Sequence, residues 1–464
     1  MMIRFFRHYV PTRMLLLMVV EFLLLYYVSQ YAGDQYTPGQ AVGPLEQQAA
    51  VFKPWLLAAS MVLLMSMFGL YDWEWTQGLR SLLTRILSCF ALGGLIMLPG
   101  ASLVPGLFAK PAELLSALTL ASLTIIFMRL IFMRLGSVEA FKKRVLIMGS
   151  GSRAAKIEEM IAAGQTPGLN IVGYLPTGNA HHYVAHDRLI DESGSLCDVV
   201  ERYNIEEVVV AVRERRGGGL PLADLLECKL RGTQILDLPA FFERQTGVLP
   251  LASMNASWLI FSEGFQQGMT RDMVKRTFDL MASFTLLAAT LPIILITALL
   301  IRMESRGPVF YTQTRVGQYG EEFTIYKFRS MFTNAEKDGL PQWARKNDDR
   351  TTRVGRFIRR VRIDELPQLF NVFLGQMSFV GPRPERPYFV NELAGQIPYY
   401  HSRHSVKPGI TGWAQVRFPY GASIEDAMEK LQYDLYYVKN HSLFLDLMIM
   451  LQTAQVVVLG KGAR

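Results

Sequence analysis

Long apolar runs recur through the first part of the chain, and the pattern changes twice thereafter. Four runs, Met14–Tyr31, Val51–Leu70, Leu82–Leu98 and Ala112–Phe132, come near the ~20 residues a helix needs to cross a bilayer. They predict a membrane α-helical N-terminal four-helix bundle over residues 1–140. Arg4, Arg7 and Arg13 precede the first run, Arg80 and Arg85 follow the second, and Arg129, Arg134, Lys142, Lys143 and Arg144 follow the fourth. The two intervening loops hold only Lys53 and Lys110. Cationic flanks stay in the cytoplasm, so both ends of the bundle are expected to face it. The first run lacks a small-residue cleavage site and three more runs follow, which argues against a removed signal peptide.

From Lys143 the pattern alternates between strand and helix: RVLIMGSGSRAAKIEEMIAAG, NIVGYL, EEVVVAV and TQILDL. A parallel sheet in an α/β Rossmann-like domain is predicted over residues 141–265. Its first turn, Gly149-Ser150-Gly151-Ser152-Arg153-Ala154, places small residues where such a fold approaches a pyrophosphate, yet no Asp or Glu closes the second strand to clamp a ribose. Packing and ligand binding both stay open for this turn. Binding of a regulatory ligand or partner, or formation of a homodimer, is the functional reading of the domain.

Phe278–Ile301 is apolar and long enough to span again, but Pro292 stands in its middle, where it removes a helix hydrogen bond and bends the chain. Lys275 and Arg276 stand at its entrance and Arg302 and Arg306 at its exit, so both ends read as cytoplasmic. A re-entrant membrane helix over 275–302 is therefore expected in place of a fifth crossing, inside an α/β-mixed monotopic domain over residues 266–464. Ser442–Gly462 carries Asp446, Gln452 and Gln455 and reads equally as an interfacial helix or as a core helix of this domain.

Composition agrees with membrane association: half of the 464 residues are hydrophobic and the mean hydropathy is positive. The charge is uneven. Residues 1–268 hold 22 basic and 22 acidic side chains, whereas residues 269–464 hold 26 and 18. A basic domain in an apolar context suits anionic headgroups or phosphate-bearing substrates and disfavours nucleic acid. Cys89, Cys197 and Cys228 form no CxxC pair, and His182 and His186, four apart in a polar stretch, are assigned no metal.

The chemistry concentrates after Arg302. Ser305–Met331 supplies Arg315, Lys327 and Arg329 around glycine turns, where guanidinium groups and backbone amides can meet phosphate oxygens. In RRVRIDELPQLFNVFLGQMSFVGPRPERP, a basic helix runs into Asp364-Glu365, which is expected to open another helix with Asp364 as N-cap and Pro367 in its first turn. There the helix dipole with Arg359, Arg360 and Arg362 would favour an ionised carboxylate and a bound phosphate together. Taken alone, an Asp-Glu pair at such a place is more often a cap.

The ordered set KRTFDLMASFTLLAATLP, GPVFYTQTRVG, YKFRSM, DDRTTRVGRFIRR, IDELPQLFNV, MSFVGPRPE and KPGITGWAQV resembles the bacterial sugar transferase family, the monotopic polyprenyl phosphoglycosyl transferases, over residues 272–464. The preceding parts are similar to the long-form members of exopolysaccharide and O-antigen synthesis. The resemblance implies a bacterial enzyme of the cytoplasmic membrane, multi-pass, with its catalytic domain on the cytoplasmic face. Its partners would be a UDP-sugar, a polyprenyl phosphate such as undecaprenyl phosphate, and membrane lipid. Asp364 would attack the sugar-bearing phosphate, release UMP and carry a phosphosugar that the polyprenyl phosphate removes. Glu365 would ligate Mg²⁺, Arg359 would contact phosphate, and Pro382, Arg383 and Pro384 match the family's nucleotide-side element. Lys327, Arg329, Gln313 and Arg315 are carried over as phosphate or structural residues. The chain departs from the family pattern at Thr290-Leu291-Pro292, in place of a Ser-Pro pair, and at Arg360-Val361-Arg362, in place of small hydroxyl residues.

Two rivals come from other classes. A membrane-anchored nucleotide-sugar dehydratase or epimerase would need Tyr-x-x-x-Lys, and no Tyr here has Lys four residues on. A non-enzymatic polysaccharide-assembly scaffold would release no UMP. Nothing in the motifs names the sugar, because they handle phosphate, metal and uridine.

Overall fold

Helices that are apolar on every side dominate the first part of the chain. In a computed structural model, the described residues are 2–5, 8–36, 44–71, 78–103, 111–136, 142–164, 166, 168–177, 183–190, 194–212, 220–251, 254, 256–262, 264–265, 268–332, 350–418, 421 and 423–458. His182 lies outside them. The chain divides into two compact units, Met1–Ile3 with Tyr9–Thr246, and Arg4–His8 with Gly247–Arg464.

After the two-stranded sheet of β1 (Met2–Phe5) and β2 (His8–Pro11), the first unit contains α1 (Thr12–Tyr36), α2 (Pro44–Met67), α3 (Gly78–Leu103) and α4 (Pro111–Gly136). Leu25, Leu57, Met61, Met65, Ile86, Leu114 and Ile125 form their shared core, while Leu16, Leu63, Leu95 and Phe127 face outward. A helix apolar all round suits burial or lipid. Thr12–Gln35, Leu79–Pro99 and Pro111–Arg134 are long and apolar enough to cross a membrane, and α2 contains the shorter apolar piece Val51–Met67. Inside this apolar packing Arg129 is fully buried and bidentate on Glu21, with Nε to Oε1 at 2.7 Å and Nη2 to Oε2 at 2.9 Å, and its Nη1 donates to the Leu70 carbonyl at 2.6 Å. Lys53 pairs with the buried Glu113 in the same way.

The unit continues with β3 (Lys143–Met148), α5 (Ser152–Ala162), β4 (Leu169–Leu175), α6 (Leu196–Arg202), β5 (Glu207–Val210), α7 (Leu222–Leu230), β6 (Gln234–Asp237) and α8 (Leu238–Thr246). The strands form a parallel sheet in the order β4-β3-β5-β6, with Val145–Met148 of β3 opposite Glu207–Val210 of β5. Val145, Ile147 and Val209 enter a core with α5 and α8, and Leu146, Met148, Val208 and Val210 enter another with α6 and α7. Alternation over two covered faces explains why these strands read as continuous apolar runs. The expected α/β segment is therefore present as a parallel sheet.

The second unit holds α9 (Ala256–Phe261), α10 (Met269–Glu304), β7 (Phe310–Val316), β8 (Glu322–Phe328), α11 (Arg353–Arg360), α12 (Gln368–Leu374), β9 (Ser378–Val380), α13 (Pro387–Gln396), β10 (Gly409–Thr411), α14 (Trp413–Arg417), α15 (Ile424–Asn440) and α16 (Leu443–Val458). Its core joins Phe323, Ile325, Leu369, Val372, Phe379, Trp413, Leu435, Tyr436 and Ile449. Leu249, Leu251 and Met254 belong to that core as well. So does His8, whose Nδ1 lies 2.8 Å from the Tyr436 hydroxyl and whose imidazole is pushed down to about 4 by burial and then by Arg417. In α16 the polar side chains Asp446, Gln452 and Gln455 are buried, which puts this helix in the domain core.

The helix α10 runs 36 residues without interruption through Pro292, whose ring lies on an exposed side. Thr290 donates to Leu286 O at 2.6 Å, so it does not cap the Ala288 carbonyl that the proline leaves free. Near its start, Lys275 pairs with Asp446 at 2.6 Å, Arg276 donates to the last carbonyls of α12 at 2.7 and 2.8 Å, and Asp279 accepts from Ser378 Oγ at 3.0 Å. Near its end, Ile294 and Ile301 pack on Phe328 and Ile358. Between these anchors Phe284, Leu291, Leu295, Ile296 and Leu299 are exposed.

Removing one member of a buried ion pair strands the other, at about 3–5 kcal/mol. Arg129→Met is expected to destabilise the detergent-solubilised protein by that much, read as a lowered thermal midpoint, and Arg129→Met with Glu21→Leu to recover most of the loss. Equal midpoints for the single variant and the native chain would contradict the pairing.

Candidate active site

The paired carboxylates Asp364 and Glu365 owe their position to one residue in an unusual conformation. Thr352 caps α11 by accepting from Gly355 N at 2.8 Å, and the helix ends at Arg360. Arg362 then adopts φ +60°, ψ 16°, a left-handed conformation sparsely populated by residues with a side chain. The reversal feeds a 3-10 turn, Ile363–Glu365, in which Asp364 and Glu365 are both buried. The expected helix opening at Asp364 is not seen: α12 starts at Gln368, behind Pro367, and no side chain caps it. Glu365, Leu366 and Pro367 intervene before the first helical residue, so Asp364 is not an N-cap.

The two carboxylates meet opposite surroundings. Glu365 Oε1 faces Arg383 Nη2 at 3.0 Å, Lys327 Nζ at 3.3 Å and Arg362 Nη1 at 3.7 Å. Burial alone would raise its pKa, but Lys327, Arg383 and Arg362 overcome this and hold Glu365 well below the usual carboxylate range. Asp364 Oδ1 is buried with no hydrogen-bond partner. Burial, and then the charge of Glu365, push Asp364 up to about 6 against the pull of Lys327, Arg362 and Arg359. The sequence argument expected neighbouring cations to dominate at this position; desolvation outweighs them. Titratable neighbours driven apart in this way divide their roles, one fixed as an anion and the other poised near neutrality.

A frame of donors holds the loop that delivers Arg383. Gly409 N donates to Pro382 O at 3.0 Å, Arg403 Nη2 to Arg383 O at 2.9 Å, and Arg315 Nη1 to Pro384 O at 2.9 Å. Gly381 and Gly409 make this possible, since a Cβ at Gly381 would stand 2.3 Å from Lys407 O and one at Gly409 2.1 Å from Gly381 N. Arg403 is itself buried, donating to Asp434 Oδ2 at 3.0 Å and to the Tyr400 hydroxyl at 3.0 Å. Next to the loop, Lys430, Arg403 and Arg315 outweigh the cost of burial and hold Glu385 down to about 2.

Of the residues singled out from sequence, Lys327, Arg383, Asp364 and Glu365 converge directly, and Arg359 acts on Asp364 through its charge from a half-exposed position. Gln313 and Arg315 stand one step back: Arg315 Nη2 donates to Gln313 Oε1 at 2.6 Å, and Arg315 steadies Pro384. Arg329 is engaged elsewhere, with Nη2 donating to Ser305 O at 2.8 Å and Ser305 Oγ at 2.7 Å, where it fixes the exit of α10. Pro292 lies within α10. Arg403 and Asp434 were not anticipated. Their trace is faint: Asp434 interrupts an apolar stripe of α15 at Leu431, Leu435 and Val438, the mark of a buried pair with an unnamed partner.

Among the described residues no three His, Cys, Asp or Glu side chains gather as a metal cluster. Two adjacent carboxylates, one unpartnered, nevertheless fit a hard divalent cation that takes one or two carboxylates and completes its shell with water and substrate phosphates.

Comparison with known proteins identifies the family. The family model for bacterial sugar transferase matches residues 270–460. An Aeromonas hydrophila protein, UDP-N-acetylgalactosamine-undecaprenyl-phosphate N-acetylgalactosaminephosphotransferase, is 39% identical over 286 residues, 61% of this chain and 65% of that one. The undecaprenyl-phosphate glucose phosphotransferase of Komagataeibacter xylinus is 32% identical over 332 residues, 69% of this chain and 60% of that one. The chain thus spans somewhat under two thirds of these two relatives. It also matches the exopolysaccharide production protein PSS of Rhizobium leguminosarum bv. phaseoli, 42% identical over 200 residues, 41% of this chain and 98% of that protein. This chain belongs to the bacterial sugar transferase family.

Proposed function

We propose that the protein transfers a sugar-1-phosphate from a UDP-sugar to a polyprenyl phosphate, giving polyprenyl-diphosphate sugar and UMP, as an early membrane step of exopolysaccharide or related glycan synthesis. The observation that carries this reading is the unequal treatment of the carboxylates: Asp364 is buried and unpartnered, while Glu365 is held by three cations. A carboxylate without hydrogen bonds is the better nucleophile, since attack breaks no existing bond.

In the first step an Asp364 oxygen attacks the phosphorus that bears the sugar, and the bond to UMP breaks with its electron pair leaving on UMP. In the second, a phosphate oxygen of the polyprenyl phosphate attacks the same phosphorus and returns Asp364 as a free carboxylate. Lys327, Arg383 and Arg359 surround the dyad with positive charge, which lets a dianionic substrate approach it. Glu365 would hold Mg²⁺, which when bound neutralises the diphosphate and steadies the leaving group. Arg403 and Asp434 act through the backbone of Arg383 to keep that guanidinium on the site.

The packing of α10 supports the re-entrant reading. Residues near both its ends pack on the same unit and exposed apolar residues lie between them, which fits a helix that dips into lipid and bends at Pro292 so that its termini stay on one face. Helices α1–α4 serve as the membrane anchor, and their basic flanks set the catalytic unit on the cytoplasmic side of the inner membrane. The relatives' names refer to N-acetylgalactosamine and glucose, so a UDP-hexose or UDP-N-acetylhexosamine is the substrate class to test.

UMP release from a panel of UDP-sugars, with undecaprenyl phosphate and Mg²⁺, is expected from the native protein, and Asp364→Asn should reduce it about 10³-fold or more. Intact-mass analysis should show a phosphosugar adduct on the native chain only; full activity in the Asn variant would remove the nucleophile.

The acid limb of kcat/KM should follow Asp364, whose pKa is raised, so the proton that blocks attack is present below about pH 6 and gone above it. A pH profile should therefore fall about tenfold per unit below pH 6, and an acid limb near 4 would contradict the desolvated environment. Chelation with EDTA should stop turnover and added Mg²⁺ restore it, with Glu365→Gln raising the Mg²⁺ concentration required; EDTA-resistant activity would count against a metal here.

A further inference from the structure

We propose that Gln368 is a catalytic residue of this transfer, its side-chain amide donating a hydrogen bond to a non-bridging oxygen of the phosphoryl group as that group passes onto and off Asp364. The proposal rests on the transferase reading and adds a residue to it.

Gln368 is the first residue of α12 and only 3% exposed, yet its Nε2 is buried without any hydrogen-bond partner. A buried amide left unpaired costs stability, and native folds seldom tolerate one. The same helix shows how fully such a group can be satisfied. Three residues on, the buried Asn371 donates through Nδ2 to Thr324 O at 2.7 Å and to Gln376 Oε1 at 2.8 Å, and its Oδ1 accepts from Tyr326 N at 3.1 Å.

The position of Gln368 supplies the reason. It lies four residues after Asp364, and the backbone between them is helical at Leu366 (φ −55°, ψ −36°) and Pro367 (φ −63°, ψ −17°). Residues four apart on such a turn share a face, and a helical side chain leans back toward the preceding turn. The Gln368 amide is thereby directed over the turn that carries Asp364, whose Oδ1 is the other buried unpartnered atom of this segment. Donor and acceptor do not bond each other. A group that satisfies both at once must accept from the amide and offer an electrophile to the carboxylate, and a phosphoryl group with anionic oxygens around phosphorus does so. During the step the Asp364 oxygen–phosphorus bond forms, the phosphorus–oxygen bond to UMP breaks, and the amide keeps both its protons. Its hydrogen bond strengthens as charge accumulates on the phosphoryl oxygens.

The test compares the native protein with Gln368→Met, which keeps volume and removes the donor, and Gln368→Glu, which keeps shape and replaces the donor with an acceptor. Loss of one such donor costs about 10²–10³-fold in kcat. Gln368→Met should lose that much in UMP release while KM for the UDP-sugar changes by less than about threefold. Its thermal midpoint without substrate should equal or exceed the native one, because an unsatisfied buried amide has been removed. Gln368→Glu should be at least as impaired as the Met variant. Native-like turnover in Gln368→Met overturns the proposal, and so does lost turnover accompanied by a lowered midpoint, which would make Gln368 a structural residue. A native protein that releases no UMP from any UDP-sugar overturns the transferase reading and this inference together; active native protein beside an equally active Met variant overturns only this inference.

Discussion

Two carboxylates that adjoin in sequence and are buried side by side cannot both hold their charge unless the fold supplies cations, and much of the catalytic unit is arranged around that requirement. Lys327 comes from β8, Arg383 from the loop after β9, and Arg362 from the left-handed residue that turns the chain into the site. All three point at one oxygen of Glu365. The second carboxylate gains from their field without bonding to any of them, which leaves it charged near neutral pH and free to react.

Charge burial is handled differently elsewhere. Among the apolar helices Arg129 and Glu21 form a closed bidentate pair, and in the parallel sheet Glu207 is taken up by Arg244 and Lys143. Arg403 and Asp434 close on each other beneath the Arg383 loop. Each of these groups is neutralised by a fixed partner, which makes it structural. Asp364, by contrast, leaves its Oδ1 without a hydrogen-bond partner.

The same economy explains the rigidity of the loop Pro382-Arg383-Pro384. Its three carbonyls are held by a glycine amide and two guanidinium groups, and its two prolines have no N–H to leave unpaired. The close backbone approach at Gly381 and Gly409 admits no side chain, so these two glycines are required by packing.

Much of this could be read from the chain alone, where the physics is local. Runs of apolar residues near twenty long select helices suited to lipid, alternating strand and helix patterns select a parallel sheet, and the ordered motifs after Lys275 indicated the dyad with Lys327 and Arg383. Local pattern failed wherever the deciding partner lay far along the chain. It put Asp364 at a helix cap because Pro367 two positions beyond a carboxylate pair suits one, whereas the chain turns through Arg362 first. It left Arg329 open between a phosphate and a structural role, and it passed over Arg403, Asp434, His8 and Gln368, whose types and spacings are ordinary. Sequence determined which groups could carry charge and which segments could enter a membrane. Only the tertiary structure decided which of those charges were neutralised and which was left unpaired, because pairing and desolvation depend on distances that no spacing along the chain contains.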